Sequence, residues 1–567
     1  MDIFNREPLL LTLAREPEDS ESFNYWVQQQ DVFPFLENEI LDEHIILYAS
    51  LPYVLIYAVL IPDEELDDSG IQDLLGWEHF PYSSWSEVSS SDEIWIEPPL
   101  SDSGNELLSQ GEQIIFIRSF AGDHSQDEYY EISQKITHVL DIHFMPERNA
   151  WCRLDRFGDI EDVIKIVKLD NFDKNEIGIL ITMQRKSLGH YANLTDSKLI
   201  RMFDFTRYKS ESFYGWQGEN KTSSEDGNNI FSRLVFHPNY GSYSRGFQIV
   251  GVSSLVKDLD KELLGNIFEN TEKKYETYIA HDRKNNVIQE ISCNPSCLAN
   301  YFTESDLPFQ ITPAFFKPEV LLKYKTDREK YQLESNSVSC RDTWHLEKFD
   351  INEAGQIHTY LIYLSHLPYE EQLHWKQYNE KPKAPLSERV TKRDFEGEFY
   401  QQYDSLSSLK YKLDKLDGLN VKWWKLRDRD AIKKVHYPFT TSKDEWAEEI
   451  LNLDQLVIEG FEEKWLKARA KILGRNIKDN LRALKLIEEC LIGIDFEADH
   501  ARQIMSSFHE IHNLRSKVKG HTSGQEADTL RKVALQKFGS FRKHFEHICS
   551  ECDESLDVLI NAFKDFD

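Results

Sequence analysis

Lys381-Pro382-Lys383-Ala384-Pro385-Leu386-Ser387-Glu388 is the stretch at which the apolar pattern of this 567-residue chain changes period. Each proline fixes φ, withholds an N–H and pushes the residue before it out of helical conformation, so no helix runs through the segment. Before it, short apolar runs broken by acidic and glycine-containing turns read as strands with intervening helices. Beyond it, leucines and other aliphatics recur at helical spacing, with no visible sheet. The fold class that follows is multidomain α+β: a mixed α/β N-terminal region, a linker at 381–392 and an all-α bundle over 393–567.

Working toward the N-terminus, Pro368 to Trp375 reads as a helix opened by proline. Thr343 to Phe349 and Ile357 to Leu364, flanking Asn352-Glu353-Ala354-Gly355, read as a β-hairpin. Phe247 to Val252, Ile177 to Met183 and Asp162 to Leu169 are strand candidates. The oxygen-rich loop Ser224 to Asn229 lacks the spacing and terminal Glu of a calcium loop and reads as a turn. Ile45 to Pro62 is an uncharged run of membrane-span length, but Ser50-Leu51-Pro52 breaks it and basic flanks are absent. Two core strands, at 44–49 and 53–61, are the expectation.

The formal charge is -32, and it is unevenly placed. Residues 1–130 carry about -25, residues 131–450 about -5 and residues 451–567 about -2. On that contrast 1–130 is set apart as an acidic mixed α/β region, and 131–380 as a mixed α/β regulatory or recognition domain. Within 511–547 the sign reverses to about +5. Such a balance excludes indiscriminate coating of nucleic acid while leaving a local patch that suits a phosphate backbone. Seven cysteines in so long a chain do not form a disulfide scaffold, and the opening Met1-Asp2-Ile3-Phe4-Asn5-Arg6-Glu7 is not a secretory signal. A cytoplasmic protein without membrane insertion is the expectation. Cys549-x2-Cys552, near His544 and His547, offers at most half of a zinc site, so no metal and no cofactor are expected.

Beyond residue 393 the expected helices are 405–416, one opened by a capping box at Ser442-Lys443-Asp444-Glu445, then 456–472, 477–491, 495–518 and 525–563, the last broken near Gly539. Near the end of the helix over 495–518 stands His509-Glu510-Ile511-His512-Asn513-Leu514-Arg515-Ser516-Lys517-Val518-Lys519-Gly520-His521. Metal-free RNA cleavage needs a group that removes the 2′-hydroxyl proton, one that protonates the departing oxygen, and positive charge on the phosphate. Histidine and arginine supply these. Six helical steps of about 100° would leave Arg515 and His521 roughly 120° apart, but a helix ended at Gly520 lets the imidazole swing back. The catalytic candidates are therefore Arg515 and His521, with Glu510 as the acid that orients the imidazole. Lys517, Lys519, Arg542, Lys543 and His547 are candidates for holding the substrate.

An arginine and a histidine separated by five residues at a helix end resemble the motif of the HEPN superfamily. Members are small helical bundles, and the resemblance covers about residues 440–567. It implies a metal-independent endoribonuclease, a hydrolase of RNA found in toxin and antiviral-defence systems, whose cleft is completed by a homodimer. Under that reading the N-terminal portion senses, restrains or positions, and a protein regulator relieves the restraint. The alternative is a noncatalytic scaffold that binds protein or RNA through the bundle, with Trp423, Trp424 and Trp465 as anchors. Core packing accounts for those tryptophans equally well. Asp155, Asp159, Glu161 and Asp162 define an enzyme site over 130–380 only if folding converges them on a metal.

Overall fold

The structure, a computed structural model, describes residues 13, 25–51, 54–74, 84–99, 105–120, 128–169, 178–208, 221–222, 230–237, 241–255, 273–302, 304–397, 403–478, 480–518 and 524–564. It is a mixed α/β N-terminal region with several sheets followed by an all-α bundle. The chain forms two compact units, the first made of Met1–Asp155 and Asp159–Lys273, the second of Arg156–Gly158 and Lys274–Asp567.

In the first unit the uncharged run folds as two strands, His44–Leu51 and Val54–Pro62, in the middle of one antiparallel sheet. Val54–Pro62 pairs along its length with Ser197–Tyr208, and His44–Leu51 pairs with Gly178–Gln184. Both faces of the run are covered. Ile45, Leu47, Val59 and Ile61 pack on one side with Leu188 and Tyr191 of a helix at Arg185–Leu194, while Ile46, Ala49, Val54 and Ile56 pack on the other with Phe35 and Leu36 of Val32–Glu39. A strand buried on both faces carries no polar alternation, which is why its sequence imitates a membrane span. Among the described residues no helix is long and apolar enough to cross a membrane.

Strands from either side of residue 130 interleave in this sheet, so the acidic segment shares its core with residues that follow it. The unit boundary falls near residue 273, because charge density marks a surface and not the edge of a core. Asp155, Asp159, Glu161 and Asp162 do not converge on a metal. Glu161 binds Arg153 and Lys186, Asp162 binds Arg148 and Lys165, and Asp155 accepts the Asp159 N–H. The Ser224 to Asn229 loop lies outside the described residues.

The second unit holds a six-stranded sheet, a three-stranded sheet and the bundle. The turn at Asn352–Gly355 joins Asp350–Ile351 to Ile357–Tyr360, and Gly355 has φ of 76°. Only part of the expected hairpin forms: Trp344–Leu346 pairs with Val338–Cys340 instead, and Leu361–Ser365 is helical. A helix does open after Pro368, at Tyr369–Gln377. The segment 381–392 is fastened to the sheet: Lys383 N donates to Gln356, Ser387 Oγ donates to Asp350, and Arg389 binds the same carboxylate. Sheet and bundle are also joined where Lys325 Nζ lies 2.8 Å from Glu445 and 2.6 Å from Glu449.

The longer bundle helices are α1 (Ser405–Gly418), α2 (Lys443–Val457), α3 (Glu463–Ile472), α4 (Ala483–Gly493), α5 (Ala498–Ile504), α6 (Ser506–Val518), α7 (Gly524–Phe538) and α8 (Phe541–Ala562). Two of the expected helices are each divided in two, between α2 and α3 and between α5 and α6. The break before α8 falls at Gly539, whose φ of 80° is left-handed. Ser442 caps α2 by accepting from Asp444 N and Glu445 N, but Glu445 turns to Thr440 and Lys325 rather than closing a reciprocal box. Trp423 stacks on Phe461, and Trp424 Nε1 donates to Val457 O, so both rings fill the bundle core.

Candidate functional site

The buried face of α6 is Phe508, Ile511 and Leu514, spaced by three. One residue further along each time come His509, His512 and Arg515, which a helix places about 100° round from the core face. They form a polar ridge along the margin of the buried surface, where each meets a carboxylate from another part of the bundle. His509 Nε2 lies 2.7 Å from Glu488 Oε1 of α4, and Lys485 binds the same carboxylate at 2.8 Å. His512 Nδ1 lies 3.0 Å from Asp454 Oδ1 of α2. Arg515 Nε lies 3.7 Å from Asp454 Oδ2, and its Nη2 lies 3.6 Å from Glu459 Oε1 in the turn after α2.

Asp454 has no exposed side-chain surface, whereas His512 is 52% and Arg515 36% exposed. One buried carboxylate thus faces a half-exposed imidazole with one oxygen and a half-exposed guanidinium with the other. The imidazole is held through Nδ1, which leaves Nε2 as the exchangeable nitrogen. Neither carboxylate is within hydrogen-bond distance of Arg515, so these two acids steer its donors without consuming them. The arrangement suits proton transfer beside a bound oxyanion.

Other expected site residues are elsewhere. His521, Lys519 and Gly520 lie outside the described residues. Glu510 is on another face of α6 from Arg515 and sits 3.8 Å from His544 Nε2 of α8. The adjacent His544 imidazole, together with the charges of His547 and Lys537, holds the Glu510 carboxyl below its ordinary value. Lys517 pairs with Glu526 of α7 at 2.5 Å. Arg542 binds Glu546 at 3.0 Å and lies over the Tyr437 ring. His547 reaches Glu551 at 3.5 Å and packs on Phe538. Lys543 is exposed. Much of the basic patch is thereby paired, although exposed pairs of this kind are weak and yield to a phosphate.

Cys549 and Cys552 are buried in the bundle core, where burial pushes the Cys552 thiol up to about 12 and Cys549 up as well. Among the described residues no group of three or more His, Cys, Asp or Glu is placed to hold a metal ion.

The residue that sequence reasoning missed is Asp454. Its signal is its place in the stripe Ile450, Leu453, Asp454, Val457, where helical spacing calls for an apolar side chain and all four are buried. An acid in a core stripe implies a partner, although the sequence does not say which. Comparison with protein-family models, with curated proteins and with solved structures returned no match, so the site rests on its own geometry.

Proposed function

We propose that the C-terminal bundle is a metal-independent endoribonuclease acting in the cytoplasm, with Arg515 holding the scissile phosphate and His521 exchanging protons with the reacting oxygens. The observation that carries this reading is the state of Arg515: half-exposed at the end of α6, oriented by two carboxylates, and free of close hydrogen bonds to described residues. A guanidinium kept in that way offers a planar fork to a phosphodiester without first breaking a tight pair. The HEPN-like spacing of Arg515 and His521 and the exposed Lys543 support the same reading. A homodimer would complete the cleft, and the acidic N-terminal segment would limit access by RNA until a protein regulator relieves that restraint.

The test is cleavage of a labelled single-stranded RNA by the intact chain in the presence of EDTA. Arg515→Ala and His521→Ala are each expected to lower the rate by about 100-fold or more. Unchanged cleavage by both variants overturns the site, and an inactive wild-type chain overturns the reading.

A further inference from the structure

We infer that His512 is a second proton-transfer residue of the Arg515 site and that Asp454 is its positioning residue. This rests on the ribonuclease reading above. The distinguishing observation is one carboxylate with two nitrogen partners: Asp454, without exposed surface, meets His512 Nδ1 at 3.0 Å through one oxygen and Arg515 Nε at 3.7 Å through the other.

A pairing made only for stability gains nothing from leaving its imidazole and guanidinium half in water while its acid sits in the core. That arrangement does suit a reacting imidazole. The buried acid fixes the ring orientation and selects the tautomer with hydrogen on Nδ1, and the exposed edge carries the lone pair on Nε2. His512 and Arg515 are three residues apart on one helix, so a phosphodiester engaged by the guanidinium lies alongside the imidazole. His509 repeats the pattern one turn earlier, but Glu488 also binds Lys485 and the pair stands further from the arginine.

In the step assigned to it, His512 Nε2 takes the proton of the ribose 2′-hydroxyl as the 2′-oxygen bonds to phosphorus. The bond from phosphorus to the 5′-oxygen breaks, leaving a 2′,3′-cyclic phosphate. The departing 5′-oxygen takes a proton from His521, the exchanging imidazole of the proposed pair, and proton transfer from the His512 imidazolium through water returns both rings to their starting states. Arg515 neutralises charge on the non-bridging oxygens throughout.

The test is steady-state cleavage of a labelled single-stranded RNA by the intact chain and its His512→Ala, His512→Gln and Asp454→Asn variants, with and without added imidazole. His512→Ala and His512→Gln are expected to lower kcat about 100-fold with little change in KM. Free imidazole is expected to restore part of the His512→Ala rate and none of the Arg515→Ala rate, a rescue that lost folding does not produce. Asp454→Asn is expected to lower kcat about 10-fold, since the ring loses its orienting charge. If Arg515→Ala and His521→Ala abolish cleavage while the His512 variants keep it, the role of His512 is overturned and the ribonuclease stands. Loss of cleavage without imidazole rescue in His512→Ala, together with an equal fall in its folded fraction, also overturns it. A wild-type chain that cleaves no RNA removes both.

Discussion

His512 Nδ1 lies 3.0 Å from Asp454 Oδ1, joining a half-exposed imidazole to a carboxylate with no exposed surface. The two partners therefore do not share the consequences of losing each other. Removal of the imidazole leaves a buried acceptor without its donor, whereas neutralising the acid leaves an imidazole and a guanidinium that water can solvate.

His512→Ala is accordingly expected to destabilise the bundle by about 1–3 kcal/mol and Asp454→Asn by less than about 1 kcal/mol. Urea midpoints of the intact chain measure both. The reverse ranking would mean that the carboxylate is held chiefly by contacts other than His512.

Glu161 is expected to make the first unit acid-sensitive. Burial pushes its carboxyl up, but hydrogen bonds from Lys186 and Gln184 and the charge of Arg153 outweigh that and hold it at about 2. A carboxyl depressed by folding stabilises the native state above its ordinary value of 4.5, and this contribution is lost as pH falls toward 2. Glu161→Gln is expected to lose about 1–3 kcal/mol at pH 7, discounted for the partly exposed partners, and to converge with wild type only as pH falls to about 2. Urea unfolding of the first unit across pH checks this, and parallel curves for the two proteins would contradict it.

Much of the fold is legible in the sequence for reasons tied to individual residues. The strand pair at 44–62 is readable because burial on both faces strips it of charge. The end of α7 is readable because Gly539 adopts a left-handed φ that other residues resist. The helix expected over 456–472 is not, because its break is tertiary. At Gly460 the chain accepts a hydrogen bond from Lys425 N, and Glu462 N donates to Trp423 O, so residues far back in sequence interrupt the helix. Asp454 was hidden for a similar reason: its partners are about 60 residues ahead and no periodicity pairs them. Arg515 is legible as a cation at a helix end, but the fixing of His512 beside it is not, because it depends on the long-range contact with Asp454.

The same turn yields a packing prediction. A Cβ at Gly460 would fall 2.3 Å from Trp424 Nε1 and 2.9 Å from Lys425 O, inside any real contact. Trp424 cannot retreat, since its ring is buried and its Nε1 donates to Val457 O at 2.9 Å. Gly460→Ala is expected to destabilise the bundle by about 1–3 kcal/mol. At Gly539 a Cβ meets nothing within 4 Å, so Gly539→Ala is expected to cost only the left-handed backbone, about 1 kcal/mol. Thermal or urea unfolding separates the two, and equal effects would show that steric overlap at Gly460 is relieved by movement.

Thiol labelling tests the packing of the bundle by another route. Cys297 is exposed, while Cys152, Cys293, Cys340, Cys490, Cys549 and Cys552 are buried. Burial also pushes Cys490 and Cys552 up to about 12, which suppresses the reactive thiolate as well as access to it. One thiol is therefore expected to react quickly with a water-soluble disulfide reagent at pH 8, with the other six released only by urea. Should Cys549 or Cys552 react at the rate of Cys297, the contact of α8 with the rest of the bundle must open readily in solution. The ridge on α6 would then lose its rigid support, because α8 packs against both α6 and α2.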